Sequence, residues 1–128
     1  MTEFRFENLK IWERAVEVAR KLFRLANTLE EKKLFRFAEQ LRDAGLSMPN
    51  NIAEGSGSTS RKEFVQFLNI ARRSTFENAS MLIIFAKDGL IPEKMKEEIL
   101  KDLDELCRMI TSFSRTLRNG QSRAKREG

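Results

Sequence analysis

Residues 92–118, PEKMKEEILKDLDELCRMITSFSRTLR, decide the fold of this chain. Apolar side chains recur there every three or four positions, at Met95, Ile99, Leu103, Leu106, Ile110, Phe113 and Leu117. Charged residues, among them Glu97 and Lys101, fill the opposite side. This spacing predicts an amphipathic α-helix, because a period of 3.6 residues places such positions on one face. Pro92 suits the first position of that helix.

Three more helices are predicted toward the N-terminus. The third begins at a Ser-x-x-Glu capping box, Ser60 and Glu63, and ends near Asp88. The second covers about residues 32–54 and contains Pro49, which we expect to kink it; the glycine-rich stretch 55–59 then forms a loop. The first covers about residues 8–29 and carries two apolar lines, one through Trp12, Val16 and Phe23 and one through Ile11, Val18 and Leu25.

Length and composition favour one all-α domain. The chain has 128 residues, with 41% hydrophobic and 34% charged residues and only 6 Gly and 2 Pro. This supports a packed core and long helices. We predict an antiparallel, up-down-up-down four-helix bundle over residues 1–118, followed by a basic, disordered tail over residues 119–128, which has no apolar periodicity.

The residue types that are missing argue against catalysis. The chain has no His and one Cys, which excludes Ser-His triads, His-ligated zinc and an internal disulfide. We therefore expect no enzymatic activity and no cofactor or metal. No apolar run reaches the ~18 residues of a membrane span, and the N-terminus lacks an apolar signal core. These features favour a cytoplasmic protein without membrane contact.

Surplus apolar residues predict self-association. Several lie on a second helical face, turned away from the predicted core line of their own helix. Such faces are typical of subunit contacts. The sequence predicts a homo-oligomer whose interface contains Ile11, Val18, Leu25, Phe35, Leu46, Val65, Phe76 and Ile83.

Polar residues lie beside the core face of the second helix. By 100° per residue they lie within about 60° of one another, and they are Gln40, Ser47, Asn51 and Glu54. In a structural interpretation, this polar seam is a buried hydrogen-bond network that fixes helix pairing, with Ser74, Glu77 or Asn78 as partners. In a functional interpretation, Glu54 is a base or cation contact and Asn51 an orienting amide.

Basic residues give a formal net charge of +5. If the protein binds nucleic acid, the contacts are expected to be electrostatic and made to phosphate, because no base-stacking pattern is evident. The candidates are Arg61, Lys62, Arg72, Arg73, Arg118, Arg123, Lys125 and Arg126. The glycine- and serine-rich loop before Arg61 is a weaker anion-site candidate, with simple helix capping as the alternative.

Five ordered blocks resemble a known family. They are FENLKIWERA at 6–15, QLRDA at 40–44, SMPNNIAEG at 47–55, EF at 63–64 and ARRSTFE at 71–77. They are similar to the 23S ribosomal RNA intervening-sequence proteins. The resemblance implies a small bacterial four-helix bundle with no established enzymatic activity and with members that form homopentamers. A related branch, the accessory protein of diversity-generating retroelements, has nucleic acid and a reverse transcriptase as its implied partners.

Two functional hypotheses follow from different classes. One is an oligomeric accessory protein that binds RNA or DNA through its basic surface. The other is a structural or protein-interaction scaffold whose basic charge is incidental. Salt-dependent binding of RNA distinguishes them.

Overall fold

Four long helices make up the protein. The computed structural model describes residues 2–127, with side chains for residues 2–120. A short 3₁₀ turn, Arg5–Asn8, precedes the helices α1 (Lys10–Glu31), α2 (Phe35–Ser56), α3 (Arg61–Lys87) and α4 (Glu93–Glu127). Successive helices pack side by side, and α4 also contacts α1. The predicted all-α four-helix bundle is confirmed.

Two tight turns set the helix ends. After α1, Lys33 adopts a left-handed φ of 64°, and the Leu34 N–H donates back to the Leu29 carbonyl at 3.0 Å. After α3, Gly89 has a φ of 71°, and the Leu90 N–H donates to the Phe85 carbonyl. Both turns are Schellman motifs. Because Lys33 interrupts the helical backbone, α2 begins at Phe35 rather than at the predicted residue 32.

The core takes one side of each helix. Its largest fully buried members include Leu22, Leu41, Leu68, Leu82 and Leu106. In α4 the predicted stripe is confirmed from Ile99 to Ile110, whereas Met95 is exposed near the start of the helix. In α2, the helical pattern predicts Phe37 in the core, but this residue is partly exposed; its ring lies against Phe85 with centroids 5.2 Å apart.

The α1 line that the sequence predicts for a subunit contact lies in the core instead. Ile11, Val18 and Leu25 lie in the core of the single chain, each at most 4% exposed. Trp12 and Phe23, on the other line, are only half-buried. The bundle faces the line of mid-sized aliphatic residues, and the bulkier aromatic rings lie along its edge.

A close approach joins α2 to α3. A Cβ atom added at Gly55 would come within 2.7 Å of Phe64 Cδ1 and 2.8 Å of Phe67 Cβ. Further along, the Ala44 carbonyl of α2 contacts Asn78 of α3. Residue numbers therefore rise along α2 as they fall along α3, which is the order found in antiparallel neighbours.

An ionic cluster joins α1 to α4. Asp102 accepts hydrogen bonds from Arg14 at 2.9 Å and from Lys21 at 2.7 Å. Arg14 also donates to Glu17 and Glu105. The hydrogen bond to Glu17 is the largest cause of the raised pKa of Arg14; the nearby charges of Glu105 and Asp102 add to it, and partial burial opposes it. The cluster fixes the last helix against the first.

Helix α4 is longer than the sequence predicts. The predicted end at Arg118 is not seen, because α4 continues to Glu127. Residues 119–127 contain Gln, Ala, Lys, Arg and Glu, which favour helix, no Pro, and only one Gly. The predicted boundary coincides with the end of the apolar stripe, but a helix can extend beyond its apolar stripe. Within the described part of the chain, no helix combines the length and hydropathy needed to cross a membrane.

The close contact at Gly55 predicts a stability effect. Gly55→Ala should lower the free energy of unfolding by about 1–2 kcal/mol, because overpacking costs roughly 1–3 kcal/mol and better helix propensity recovers up to about 1 kcal/mol. Phe67 Cβ cannot swing aside, since it is attached directly to the backbone. Urea unfolding measures the change. Gly57→Ala is the control: the nearest atom to its added Cβ is the Glu54 carbonyl oxygen at 3.4 Å, and it should have little effect. Equal stability of both variants would contradict the prediction.

Candidate functional site

The polar seam is a contact between α2 and α3. Ser47 Oγ lies 2.8 Å from Ser74 Oγ. Asn51 Nδ2 donates to the Ser47 carbonyl at 2.8 Å and to the Ser47 hydroxyl at 3.0 Å. The two predicted seam residues Ser47 and Asn51 are therefore joined, and one of the predicted partners, Ser74, completes the contact.

Asn78 is the most deeply buried member of this seam. Its side chain is fully buried, and its Nδ2 donates to the Ala44 carbonyl of α2 at 2.9 Å and to the Ser74 carbonyl at 2.8 Å. Its Oδ1 has no hydrogen-bond partner among the described residues. A buried amide bridging two helices fixes their relative position, since sliding would leave its donors without acceptors.

Gln40 and Glu54 lie outside the seam. Both are exposed, as is the proposed partner Glu77. Gln40 lies near the start of α2 and Glu54 near its end. The helical wheel places both beside the core face, but it does not show where the neighbouring helix lies, and both side chains remain exposed. The seam therefore lacks the carboxylate that a catalytic or cation-binding interpretation requires.

Several basic residues lie where the first half of α3 packs against the second half of α4. Phe64 and Phe113 bring these segments together, with ring centroids 5.6 Å apart. The Arg61 guanidinium lies close against the α4 backbone at Gly120. Arg72 Nε, further along α3, donates to Thr111 Oγ1 of α4 at 3.3 Å.

A small polar cleft runs between these two helices. Its volume is about 240 Å³, and it is lined by Val65, Asn69, Arg72, Thr111, Ser114 and Arg118. We call it the Arg72–Arg118 cleft. The Arg72 guanidinium also lies 5.3 Å from the centre of the Phe76 ring. Two of the predicted basic residues are thus brought together, and none of the described lining residues is a carboxylate.

A second concavity lies at the N-terminus of α3. Its volume is about 330 Å³, and Arg5, Arg61, Ser58, Thr59 and Ser60 are among its lining residues. The Ser60 hydroxyl accepts from the Glu63 N–H at 3.1 Å, which confirms ordinary capping at this position. Arg5 donates to the Ser56 carbonyl and so closes over the loop.

The remaining basic candidates are dispersed. Lys62 and Arg73 are exposed and line neither concavity. The side chains of Arg123, Lys125 and Arg126 lie outside the described residues. Among the described residues, Arg61, Lys62, Arg72, Arg73 and Arg118 make no ion pair. Their charge is therefore not neutralised by an adjacent described carboxylate.

The predicted subunit interface divides into two sets. Ile11, Val18 and Leu25 are core residues of one chain, so they are unavailable for contact with another copy; this part of the prediction is wrong. The other large members are exposed: Phe35 55%, Leu46 41%, Phe76 60% and Ile83 38%. Val65 is half-buried in the Arg72–Arg118 cleft.

Phe76 and Ile83 line an apolar groove beside α4. The groove measures about 510 Å³ and also contains Ile84, Leu100 and Cys107. Ile84 was missed by the sequence analysis although it is 53% exposed.

Asn69, Thr111 and Ser114 of the Arg72–Arg118 cleft were also missed. The available signal was their spacing: Asn69 precedes Arg72 by three positions and Ser114 precedes Arg118 by four, so each pair shares a helix face.

Comparison with known proteins agrees with this architecture. The model of the 23S rRNA-intervening sequence protein family matches residues 7–112. The chain belongs to this family. The resemblance drawn from the sequence is therefore confirmed.

A solved structure shares the fold. It is the crystal structure of a protein of unknown function from the S23 ribosomal protein family of Bacteroides thetaiotaomicron VPI-5482. The two chains are 27% identical and superpose with a TM-score of 0.78, over 81% of this chain and 97% of the other. No curated protein matches the chain.

The seam predicts a stability order among its polar residues. Asn78→Ala should lower the free energy of unfolding by about 1–3 kcal/mol, because it removes the buried hydrogen bonds from the amide to the Ala44 and Ser74 carbonyls. Asn51→Ala should cost less, since its amide is only half-buried. Glu54→Ala is the control and should stay within about 0.5 kcal/mol of the parent, as surface substitutions do. Urea unfolding of the three variants checks the order, and a Glu54→Ala loss as large as that of Asn78→Ala would refute it.

Proposed function

We propose that this protein is a non-enzymatic, self-associating cytoplasmic bundle that binds the phosphate backbone of nucleic acid, RNA above all. Membership of the 23S rRNA-intervening sequence family supports an RNA context. The observation that carries the proposal is the set of unneutralised arginines on adjoining parts of α3 and α4. Arg61, Arg72 and Arg118 belong to two packed helices, yet none is paired with a described carboxylate.

Paired and unpaired basic residues both occur across the bundle. Arg14 and Lys21 are paired with Asp102, Arg42 with Glu30, and Lys96 with Glu93, whereas Arg72 and Arg118 line one cleft in which no described lining residue is a carboxylate. Paired charges give little net field, whereas unpaired arginines attract phosphate and release counterions when they bind it. Backbone binding of this kind needs no base-reading element.

The exposed apolar residues support self-association. Phe35 and Leu46 lie on α2, and Phe76 and Ile83 lie on α3 beside α4, so one chain presents two separate apolar surfaces. Contact between two different surfaces of identical chains builds a closed ring when the rotation closes. We propose such a ring, a homopentamer as the family resemblance implies. A ring would repeat each arginine around its axis and strengthen strand binding by multivalency.

Strand binding predicts a steep salt dependence. Affinity for two unrelated RNAs and a duplex DNA should fall as salt rises, with similar slopes for both RNAs. Arg61→Ala and Arg118→Ala should each weaken binding to all three. Each should also flatten the single-strand slope of log affinity against log salt, by about 0.7 for each phosphate that the variant no longer neutralises. Deleting residues 119–128 should act in the same direction. Fluorescence anisotropy at several salt concentrations measures these slopes.

The matched control for strand binding is Arg108→Ala. Arg108 is an exposed arginine on α4, but it is paired with Asp104 at 3.0 Å, so its removal should leave affinity nearly unchanged. No binding even at low salt would favour the scaffold hypothesis. Tight binding to one sequence that persists at high salt would contradict a backbone contact.

Self-association predicts that the protein in solution has the mass of several chains. Light scattering at micromolar concentration should report an oligomer for the parent protein. Phe76→Asp and Phe35→Asp should each lower the mass, because a carboxylate in an apolar contact must be desolvated without a partner. Gln66→Asp, which adds the same charge at an exposed α3 position away from the groove, should leave the mass unchanged. A parent protein with the mass of one chain would overturn the proposal.

A further inference from the structure

We propose that the Arg72–Arg118 cleft is a built subsite for a single phosphate group, and that a phosphodiester of a bound strand supplies this group. The source of the phosphate rests on the proposed function, whereas the subsite itself rests on the geometry of the cleft. A cleft of about 240 Å³ is smaller than the roughly 300–1,000 Å³ of typical small-molecule pockets. It therefore suits one compact group rather than a whole nucleotide.

Arg72 is held in place before any ligand arrives. Its Nε donates to Thr111 Oγ1 at 3.3 Å, and its guanidinium lies over the Phe76 ring at 5.3 Å. Thr111 is fixed in turn, because its hydroxyl donates to the Cys107 carbonyl at 2.9 Å. Neither contact uses the two Nη nitrogens. These are the donors with which a guanidinium binds two oxygens of one phosphate.

Ser114 supplies a hydroxyl to the lining of the cleft. The residue is only 8% exposed, and its hydroxyl makes no hydrogen bond to another described residue. Because this oxygen is not sealed off from solvent, it opens onto the cleft, where a phosphate oxygen would accept its hydrogen bond. Thr75 and Ser74, the buried hydroxyl residues of α3, both have partners.

The rest of the cleft suits an anion. Arg118 adds a second positive charge one helical turn beyond Ser114, and Asn69 adds an amide that can donate. No described lining residue is a carboxylate that would repel phosphate. A cation does not suit the cleft, because the two arginines would repel it. The charge, the unused donors and the size of the cleft therefore agree on one ligand chemistry.

The central test keeps the positive charge at position 72 and removes the pair of Nη donors. Arg72→Lys should weaken binding of a short fluorescein-labelled oligouridylate about tenfold, the effect expected for a charge-assisted hydrogen bond. The slope of log affinity against log salt should stay the same, because lysine still displaces a counterion. Ser114→Ala should weaken binding about threefold or more. Arg108→Lys, at an exposed arginine of α4 that pairs with Asp104, is the control and should bind like the parent.

A second measurement separates the subsite from the strand. Titration of inorganic phosphate into the protein without RNA, followed by NMR, should shift the Arg72 Nε–H and the Ser114 amide signals, and Ser114→Ala should weaken this response. If the parent protein binds no RNA but phosphate still shifts these signals, the subsite stands and nucleic acid is overturned as its source.

Other outcomes overturn the subsite. If the parent binds RNA while Arg72→Lys and Ser114→Ala bind equally well and phosphate shifts no signal in the cleft, the proposed function stands and the subsite is refuted. If either substitution lowers the mass in light scattering, the cleft is a contact between copies of the chain rather than a phosphate site. Urea unfolding of each variant separates a failure to bind from a failure to fold.

Discussion

The buried amide of Asn78 is the contact on which the arrangement of the bundle depends. It lies between α2 and α3 and donates to the Ala44 carbonyl on one helix and the Ser74 carbonyl on the other. Apolar side chains pack in several registers at similar free energy, whereas the two N–H donors of this buried amide both find acceptors in one. Near the other end of the same pair, the Gly55 contact with Phe64 allows the helices to approach closely. Together these contacts set how α3 lies along α2.

The position of α3 in turn determines which polar groups meet α4. Because α3 is fixed at both ends against α2, Arg72 lies opposite Thr111 and Arg61 lies beside Gly120. On the far side, Asp102 binds Arg14 and Lys21 and fixes α4 against α1. Acidic side chains are thus paired where α1 meets α4, whereas Arg72 and Arg118, which no described carboxylate pairs, line the cleft between α3 and α4.

Much of this arrangement can be predicted from local sequence patterns, and the rest cannot. The stripe from Ile99 to Ile110 and the cap at Ser60 are local patterns, and both are confirmed. In α1 the two apolar lines are similarly hydrophobic, so the sequence alone does not reveal that Val18 faces the core. The partner of Arg72, Thr111, lies about forty positions away on α4, and only the fold brings the two together. Long-range contacts of this kind have no local pattern to reveal them.

Arg72 belongs to two surfaces at once, and this has a thermodynamic consequence. One side of its guanidinium lies over Phe76, at the mouth of the apolar groove, and the other belongs to the polar cleft. A partner that moves the Phe76 ring must also change the freedom of the guanidinium. Occupancy of the groove and occupancy of the cleft are then linked equilibria, and each must change the affinity of the other by the same factor. One side chain can thus make assembly and ligand binding cooperative or competitive without any larger rearrangement of the helices.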